Sequence, residues 1–215
     1  PDGTYYSGNN TVAGSIRYNA NMIDLNRNFP DFIGGQYPSG AWQAETKAFM
    51  DYANKRKFVM SANFHGGIEL VNYPWDGNDT DNHADRLWWQ YIGKEYADTA
   101  QFYSPSGYFD ELINGSTIPG LICGGKWYVI YGGRQDYMNY YHNCREVTIE
   151  ISDEKNPPSS ELPYFWEWNY RSMLNYMEQV LYGIRGIVTD ACTGQAIKAK
   201  IELIGHDLNN SHVYS

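Results

Sequence analysis

A short apolar run, KFVMSANF at residues 57–64, constrains the fold of this chain more than any other segment. A run of this length with few polar interruptions is typical of a strand buried on both faces, in a sheet with helices on each side. Helical patterns flank it, one beginning at Ser39 and one over residues 85–100. A second strand pattern, EVTIEIS at residues 146–152, precedes a third helical pattern over residues 163–182. This alternation predicts an α/β domain.

The pattern changes near residue 182. The following segment, GIRGIVTDACTGQAIKAKIELIG, alternates apolar and polar residues around a DACTG turn. Such alternation predicts a small antiparallel β module. We therefore predict two domains, with residues 1–182 forming the first and residues 183–215 forming the start of a β module that is too short for a complete sandwich.

The charge of the chain bears on its partners. Its 16 basic and 25 acidic residues give a net charge of −9, which argues against nucleic acid because nucleic-acid binders need a basic face. The acidic balance suits cationic peptides, or it serves only solubility. No apolar run approaches the ~20 residues needed to cross a bilayer. Cys123, Cys144 and Cys192 lack a C-x-x-C spacing, and their pairing stays open.

His65 ends the apolar run and precedes a Gly66-Gly67 pair. Ligands of open α/β sheets bind beyond the carboxyl ends of the strands, and glycine allows the backbone to approach a ligand closely. His65 is therefore a candidate metal ligand. The alternative is an ordinary histidine at the end of a strand.

The second strand pattern carries a candidate general base. Glu146 and Glu150 are four residues apart in EVTIEIS, so in a strand both point to one face with Thr148, whereas Val147 and Ile149 point to the other. A carboxylate at the end of a buried strand is costly unless it is paired or takes part in chemistry. Glu150 is thus a candidate base, and the alternative is an ordinary edge glutamate.

Two loop segments carry candidate binding residues. DLNRNFP places Asn26 beside Arg27, and Arg17 lies shortly before it. A guanidinium and an amide side by side are suited to binding a carboxylate, although solvated loop residues would look the same. In WYVIYGGRQDY, Tyr128 is a mobile hydroxyl donor or a packed aromatic.

Taken together and in this order, these segments resemble the zinc metallocarboxypeptidase family, and within it the regulatory subfamily of carboxypeptidases E, N and D. The resemblance implies a mixed central β-sheet flanked by helices and followed by a transthyretin-like β module, whose start GIRGIVTD resembles. The matching blocks are PDG at the start, IRYNANMIDLNRNFPD, SANFHGGIELVNYPWD, KWYVIYGGRQDYMNYYHNCREVTIEIS and ELPYFWEWNYRSMLNYMEQVLYGIRGIVTD.

The resemblance also implies roles for residues that match the family's motifs. These roles are zinc ligand for His65, general base for Glu150, oxyanion stabilisation for Arg17, binding of the substrate's C-terminal carboxylate for Asn26 and Arg27, closure over the bound end for Tyr128, selection of a basic side chain for Asp76, and a neighbouring pocket position for Gln135.

One part of the family pattern does not occur in the sequence. The family takes two further zinc ligands from an H-x-x-E pair upstream of the PDG block, and none of the five histidines here begins such a pair. The resemblance therefore implies one Zn²⁺ ion whose other two ligands come from an upstream segment. It also implies that this stretch alone is inactive.

The resemblance thus implies an enzyme that hydrolyses the C-terminal residue, Lys or Arg, from peptides or proteins. The family resemblance implies a secreted, periplasmic or cell-surface location. A catalytically silent relative that binds peptide C-termini is the main alternative. A carbohydrate-binding module, suggested by 20 Tyr and 7 Trp, is a weaker one because the aromatic residues fall largely at the spacing of helix cores.

Overall fold

The computed structural model describes residues 15–215, so the PDG block lies outside the described residues. The described part has a four-stranded sheet in the order β1-β4-β2-β3 and a separate two-stranded sheet, β5-β6. In chain order the elements are a 3₁₀ helix (Leu25–Arg27), α1 (Ala44–Lys55), β1 (Met60–His65), β2 (Ile68–Tyr73), α2 (Arg86–Phe102), β3 (Leu121–Cys123), α3 (Gly124–Trp127), α4 (Arg134–His142), β4 (Arg145–Ser152), α5 (Leu162–Glu178), a 3₁₀ helix (Gln179–Leu181), β5 (Lys200–Ile201) and β6 (Val213–Tyr214).

The four-stranded sheet is mixed. Strand β4 pairs in parallel with β1 and antiparallel with β2, and β2 pairs in parallel with β3. The predicted mixed sheet flanked by helices is therefore confirmed. The register places His65 directly opposite Glu150 on the neighbouring strand. Strand β2 and helix α4 did not emerge from the sequence patterns.

The alternation in β4 separates an apolar face from a polar one, as the sequence predicts. Val147 and Ile149 belong to a core that β2, α2 and α5 share, and Trp89 and Tyr96 of α2 are almost fully buried in it. The other face carries Glu146, Thr148 and Glu150, all buried. Apolar contacts hold one side of the sheet, and the charged and polar side chains are collected on the other.

A second core lies on the polar side of the sheet. It joins α1 and α4 through Met50, Ala53 and Met138, and Phe29 and Cys144 complete it. This core holds α4 and the loop before α1 beside the carboxyl ends of β1 and β4. Those two segments carry most of the candidate binding residues.

Only part of the predicted apolar stripe of the third helix faces the core, where Met173 packs beside Phe165 and Tyr176. Trp166, Leu174 and Met177 are exposed in α5, whereas Asn169 and Ser172 are fully buried on its inner face. Tyr96 of α2 provides hydrogen-bond partners for both inner polar residues. Its hydroxyl group donates to Oδ1 of Asn169, and its main-chain carbonyl oxygen accepts from the hydroxyl group of Ser172. Helix α5 is thus fixed by hydrogen bonds from buried polar side chains as well as by apolar contacts.

The segment after residue 182 forms the short antiparallel pair β5-β6, and a bridge between Thr189 and Ala196 flanks the predicted turn. It contacts the main sheet through Arg145, which donates to the carbonyl oxygen of Ser211. The described cysteines are all unpaired. None of the helices in residues 15–215 is long and apolar enough to cross a membrane.

Candidate active site

One cavity at the carboxyl ends of β1 and β4 brings together most of the residues that the sequence singles out. The ends of the strands form its floor. The 3₁₀ helix at Leu25–Arg27 and the loops after β2 and α3 form its walls. The predicted residues that line it are Arg17, Asn26, Arg27, His65, Asp76, Tyr128 and Glu150.

Gln135 is the predicted residue that does not line the cavity. It is fully buried in the first turn of α4, behind Asp76. Its Nε2 donates to Oδ1 of Asp76 over 3.1 Å and to Oδ1 of Asn72 over 3.3 Å. Gln135 therefore contacts the pocket carboxylate and supports it from behind.

His65 is held in the neutral form. Burial, aided by the positive charge of Arg17, lowers the pKa of His65 to about 4. A neutral imidazole is the form that binds a metal ion. Its Nε2 lies 3.5 Å from the side-chain amide nitrogen of Asn26.

Glu150 has an unfilled acceptor in the cavity. The side chain is only 7% exposed, and no described group donates a hydrogen bond to its buried Oε2 atom. Burial raises the pKa of Glu150 to about 7, although the positive charges of Arg17 and Lys155 act to lower it. A carboxylate with such a pKa and a free oxygen is suited to accept a proton near neutral pH.

Asp24 organises the loop that carries the candidate carboxylate-binding pair. Its side chain accepts from the Asn26 N–H over 3.0 Å and from the Arg17 Nε over 2.6 Å. The main-chain N–H of Arg134 donates to Oδ1 of Asn26 over 2.9 Å. This hydrogen bond engages the side-chain oxygen of Asn26, so its side-chain NH₂ group is the part that faces the cavity.

Asp76 supplies a buried carboxylate at the base of the cavity. Its Oδ1 accepts from Asn72 and Gln135, both over 3.1 Å, and no described group donates to Oδ2. The absent side chain of Gly124 leaves room, since a Cβ there would overlap Oδ1. Burial raises the pKa of Asp76 to about 6, although the hydrogen bond from Asn72 and the positive charge of Arg27 act to lower it. An entering cation would stabilise the ionised form.

Tyr128 and several further residues contribute to the lining. Tyr128 is 49% exposed and lies directly after α3. The sequence analysis does not single out Asn72, Ile130 or Lys155, whereas Thr148, which it places on the face of Glu150, also lines the cavity. Asn72 had a detectable signal, an amide inside the apolar segment IELVNY, but Lys155 had none.

The described residues fit one side of a metal site. Residues 15–215 contain no group of three or more His, Cys, Asp or Glu side chains that could hold a metal ion. His65 and Glu150 are paired in register on neighbouring strands, and no described group donates a hydrogen bond to Oε2 of Glu150. The neutral imidazole of His65 is a ligand that suits zinc, with any further protein ligands supplied from outside this range.

Comparison with known proteins gives one consistent result. The family described as zinc carboxypeptidase is matched over residues 1–172. Carboxypeptidase D of Mus musculus is 39% identical over 188 residues, covering 84% of this chain and 13% of that protein. Carboxypeptidase E of Caenorhabditis elegans is 32% identical, covering 86% of this chain and 46% of that protein. The chain thus spans less than half the length of these relatives.

Solved structures show the same fold. Carboxypeptidase A from Helicoverpa armigera matches with a TM-score of 0.58 at 15% identity, covering 73% of this chain and 41% of that one. At this identity the likeness concerns the fold alone.

Proposed function

The chain belongs to the zinc carboxypeptidase family, and on that premise we propose that it forms most of the active site of an enzyme that removes C-terminal Lys or Arg from peptides. One observation carries the proposal. A single cavity holds a carboxylate-binding pair, a buried acid and the His65–Glu150 pair. We further propose that residues 1–182 belong to the catalytic domain, that residues 183–215 begin a transthyretin-like module, and that the protein acts outside the cytoplasm.

The Asn26–Arg27 pair accounts for exopeptidase action. A substrate's terminal carboxylate would meet the amide of Asn26 and the guanidinium of Arg27 in the cavity. An internal peptide segment would leave these donors unsatisfied, and an unsatisfied buried donor costs about 1–3 kcal/mol. The pair therefore selects chain ends.

Glu150 and Arg17 supply the chemistry that this chain can perform. A bound zinc ion, held by His65 and ligands from outside the described residues, would supply Lewis-acid and water-activating chemistry. Glu150 accepts a proton at its free oxygen from the attacking water and returns it to the leaving amine. Arg17, whose Nε is engaged with Asp24, directs its remaining N–H groups toward the carbonyl oxygen that gains negative charge.

Asp76 provides the preference for a basic side chain. No group within residues 15–215 donates a hydrogen bond to Oδ2 of Asp76, so a terminal Lys or Arg would form a charge-assisted hydrogen bond there. A neutral side chain would leave the buried carboxylate uncompensated. The discrimination thus arises from both attraction and desolvation.

We expect Asp76→Ala to lower the ratio of kcat/KM for Arg-ended over Phe-ended peptides by about tenfold to a hundredfold, the range for loss of one hydrogen bond to a charged group. The assay uses the protein in its natural length with zinc present, and it measures the released amino acid. The wild type should favour the Arg-ended peptide.

Asp79→Ala is the matched control, because Asp79 is an exposed aspartate on the same loop. It should leave the ratio unchanged. An unchanged ratio in Asp76→Ala would rule out Asp76 as the basis of the preference. Absence of release from either peptide by the wild type would favour the catalytically silent alternative.

A further inference from the structure

Two buried carboxylates that the proposed reaction does not use lie behind the cavity. Asp31 accepts a hydrogen bond from the main-chain N–H of Gly132. Asp136 accepts from the main-chain N–H groups of Asp76 and Gly77. Both aspartates are almost fully buried. They join three loops that are far apart in sequence, but only Asp136 holds the loop that carries the pocket acid.

The contacts of Asp136 are directed at the backbone of Asp76. Its Oδ1 lies 2.9 Å from the Asp76 nitrogen, and its Oδ2 lies 2.8 Å from the Gly77 nitrogen. The preceding residue in α4, Gln135, donates to the Asp76 carboxylate itself. The first turn of α4 therefore fixes Asp76 twice, through its main chain and through its side chain.

This arrangement is electrostatically unfavourable. Burial, and then the nearby charge of Asp76, raise the pKa of Asp136 well above its usual range. A neutral acceptor such as an amide oxygen would satisfy one main-chain donor without a second buried carboxyl group. A carboxyl group, however, can receive both N–H groups at once and so define the direction in which the loop leaves β2.

We infer that Asp136 is a positioning residue for the basic-side-chain pocket, which sets the direction of the Asp76 carboxylate by holding the N–H groups of Asp76 and Gly77. The inference rests on the proposed function, because it assigns Asp136 to the selection of Lys and Arg. Asp136 does not line the cavity, so its effect on substrate passes through Asp76.

The test measures kcat/KM of the natural-length, zinc-loaded protein for peptides that end in Arg and in Phe. Asp136→Asn should lower the value for the Arg-ended peptide by about tenfold or more, because misplacement of a binding group by about 1 Å can cost two orders of magnitude. The value for the Phe-ended peptide should change by less than about threefold. In an Asp76→Ala background, Asp136→Asn should produce no further loss of the Arg preference.

Glu69→Gln is the matched control. Glu69 is a buried carboxyl group that also accepts a main-chain N–H, from Phe109, and it makes no hydrogen bond to the loop that carries Asp76, so its replacement should leave the Arg-to-Phe ratio unchanged. If Asp136→Asn does not fold, Asp136→Ser provides a smaller acceptor and should show the same selective loss.

Equal losses for both peptides, or an additive loss in the Asp76→Ala background, would overturn the inference and leave Asp136 with a purely structural role. A wild type that shows no preference for Arg would instead contradict the proposed substrate class. Binding of free L-arginine against L-alanine, measured by calorimetry, gives a second readout. Asp136→Asn should weaken only the binding of L-arginine.

Discussion

Replacing Glu150 with glutamine is expected to lower kcat by about two to four orders of magnitude, the usual contribution of a general base. The amide keeps the size of the side chain but cannot accept the proton of the attacking water. Glu150 is buried and its pKa is raised to about 7, so a neutral amide should not destabilise the fold. The measurement is kcat on an Arg-ended peptide, with zinc content and melting temperature recorded for each variant.

Glu154→Gln is the control, because Glu154 is an exposed glutamate just beyond the end of the same strand. It should retain the activity of the wild type. If Glu150→Gln keeps its zinc and loses less than about tenfold in kcat, the proton is taken by another group and the role of Glu150 must be abandoned.

The largest effect on stability is expected from Arg134→Ala, which should lower the free energy of unfolding by about 3 kcal/mol. Arg134 forms an ion pair over 2.8 Å with Glu146, whose side chain is 0% exposed, and donates to the carbonyl oxygen of Ala62. Without Arg134 the buried carboxylate keeps its hydrogen bonds from Ser61 and Asn63, but it loses its countercharge. Urea denaturation measures the change.

Two further variants identify the cause of that change. Arg86→Ala removes a more exposed pair, with Asp81 at 3.6 Å, and should cost less than about 1 kcal/mol. Adding Glu146→Gln to Arg134→Ala should recover much of the lost stability, because the buried charge is then gone. Equal effects of Arg134→Ala and Arg86→Ala would contradict the importance of the buried pair.

The strand that carries Glu150 illustrates what sequence could predict. A period of two places Glu146, Thr148 and Glu150 on one face, and the structure has them there, with Val147 and Ile149 in the core. Such local patterns depend only on the backbone of a few residues. They give the location of a catalytic candidate without any knowledge of the other strands.

Helices α4 and α5 show where local patterns fail. Gln135, Asp136 and Asn139 are buried in α4, so the helix lacks the apolar period that would reveal it. In α5 much of the predicted apolar stripe is exposed, and Asn169 and Ser172 face the core beside Phe165 and Tyr176. Buried polar residues are stabilised by partners far along the chain, and a sequence window does not contain those partners.

The same reason explains why the support of the pocket was not foreseen. Asp136 is 60 residues from Asp76 in the chain, and their contact arises only because α4 packs behind the loop after β2. The pocket carboxylate itself was assigned from the family resemblance. The residues that hold it could be found only from the three-dimensional arrangement.

The central claim is tested most directly by release of C-terminal Arg from a peptide with a free carboxylate, with its C-terminally amidated twin alongside. The natural-length protein is assayed with zinc, after chelation and after zinc is restored. We expect release from the free-carboxylate peptide alone, abolished by the chelator and recovered with zinc. Release that ignores the chelator, equal cleavage of both peptides, or no release with zinc bound would contradict it.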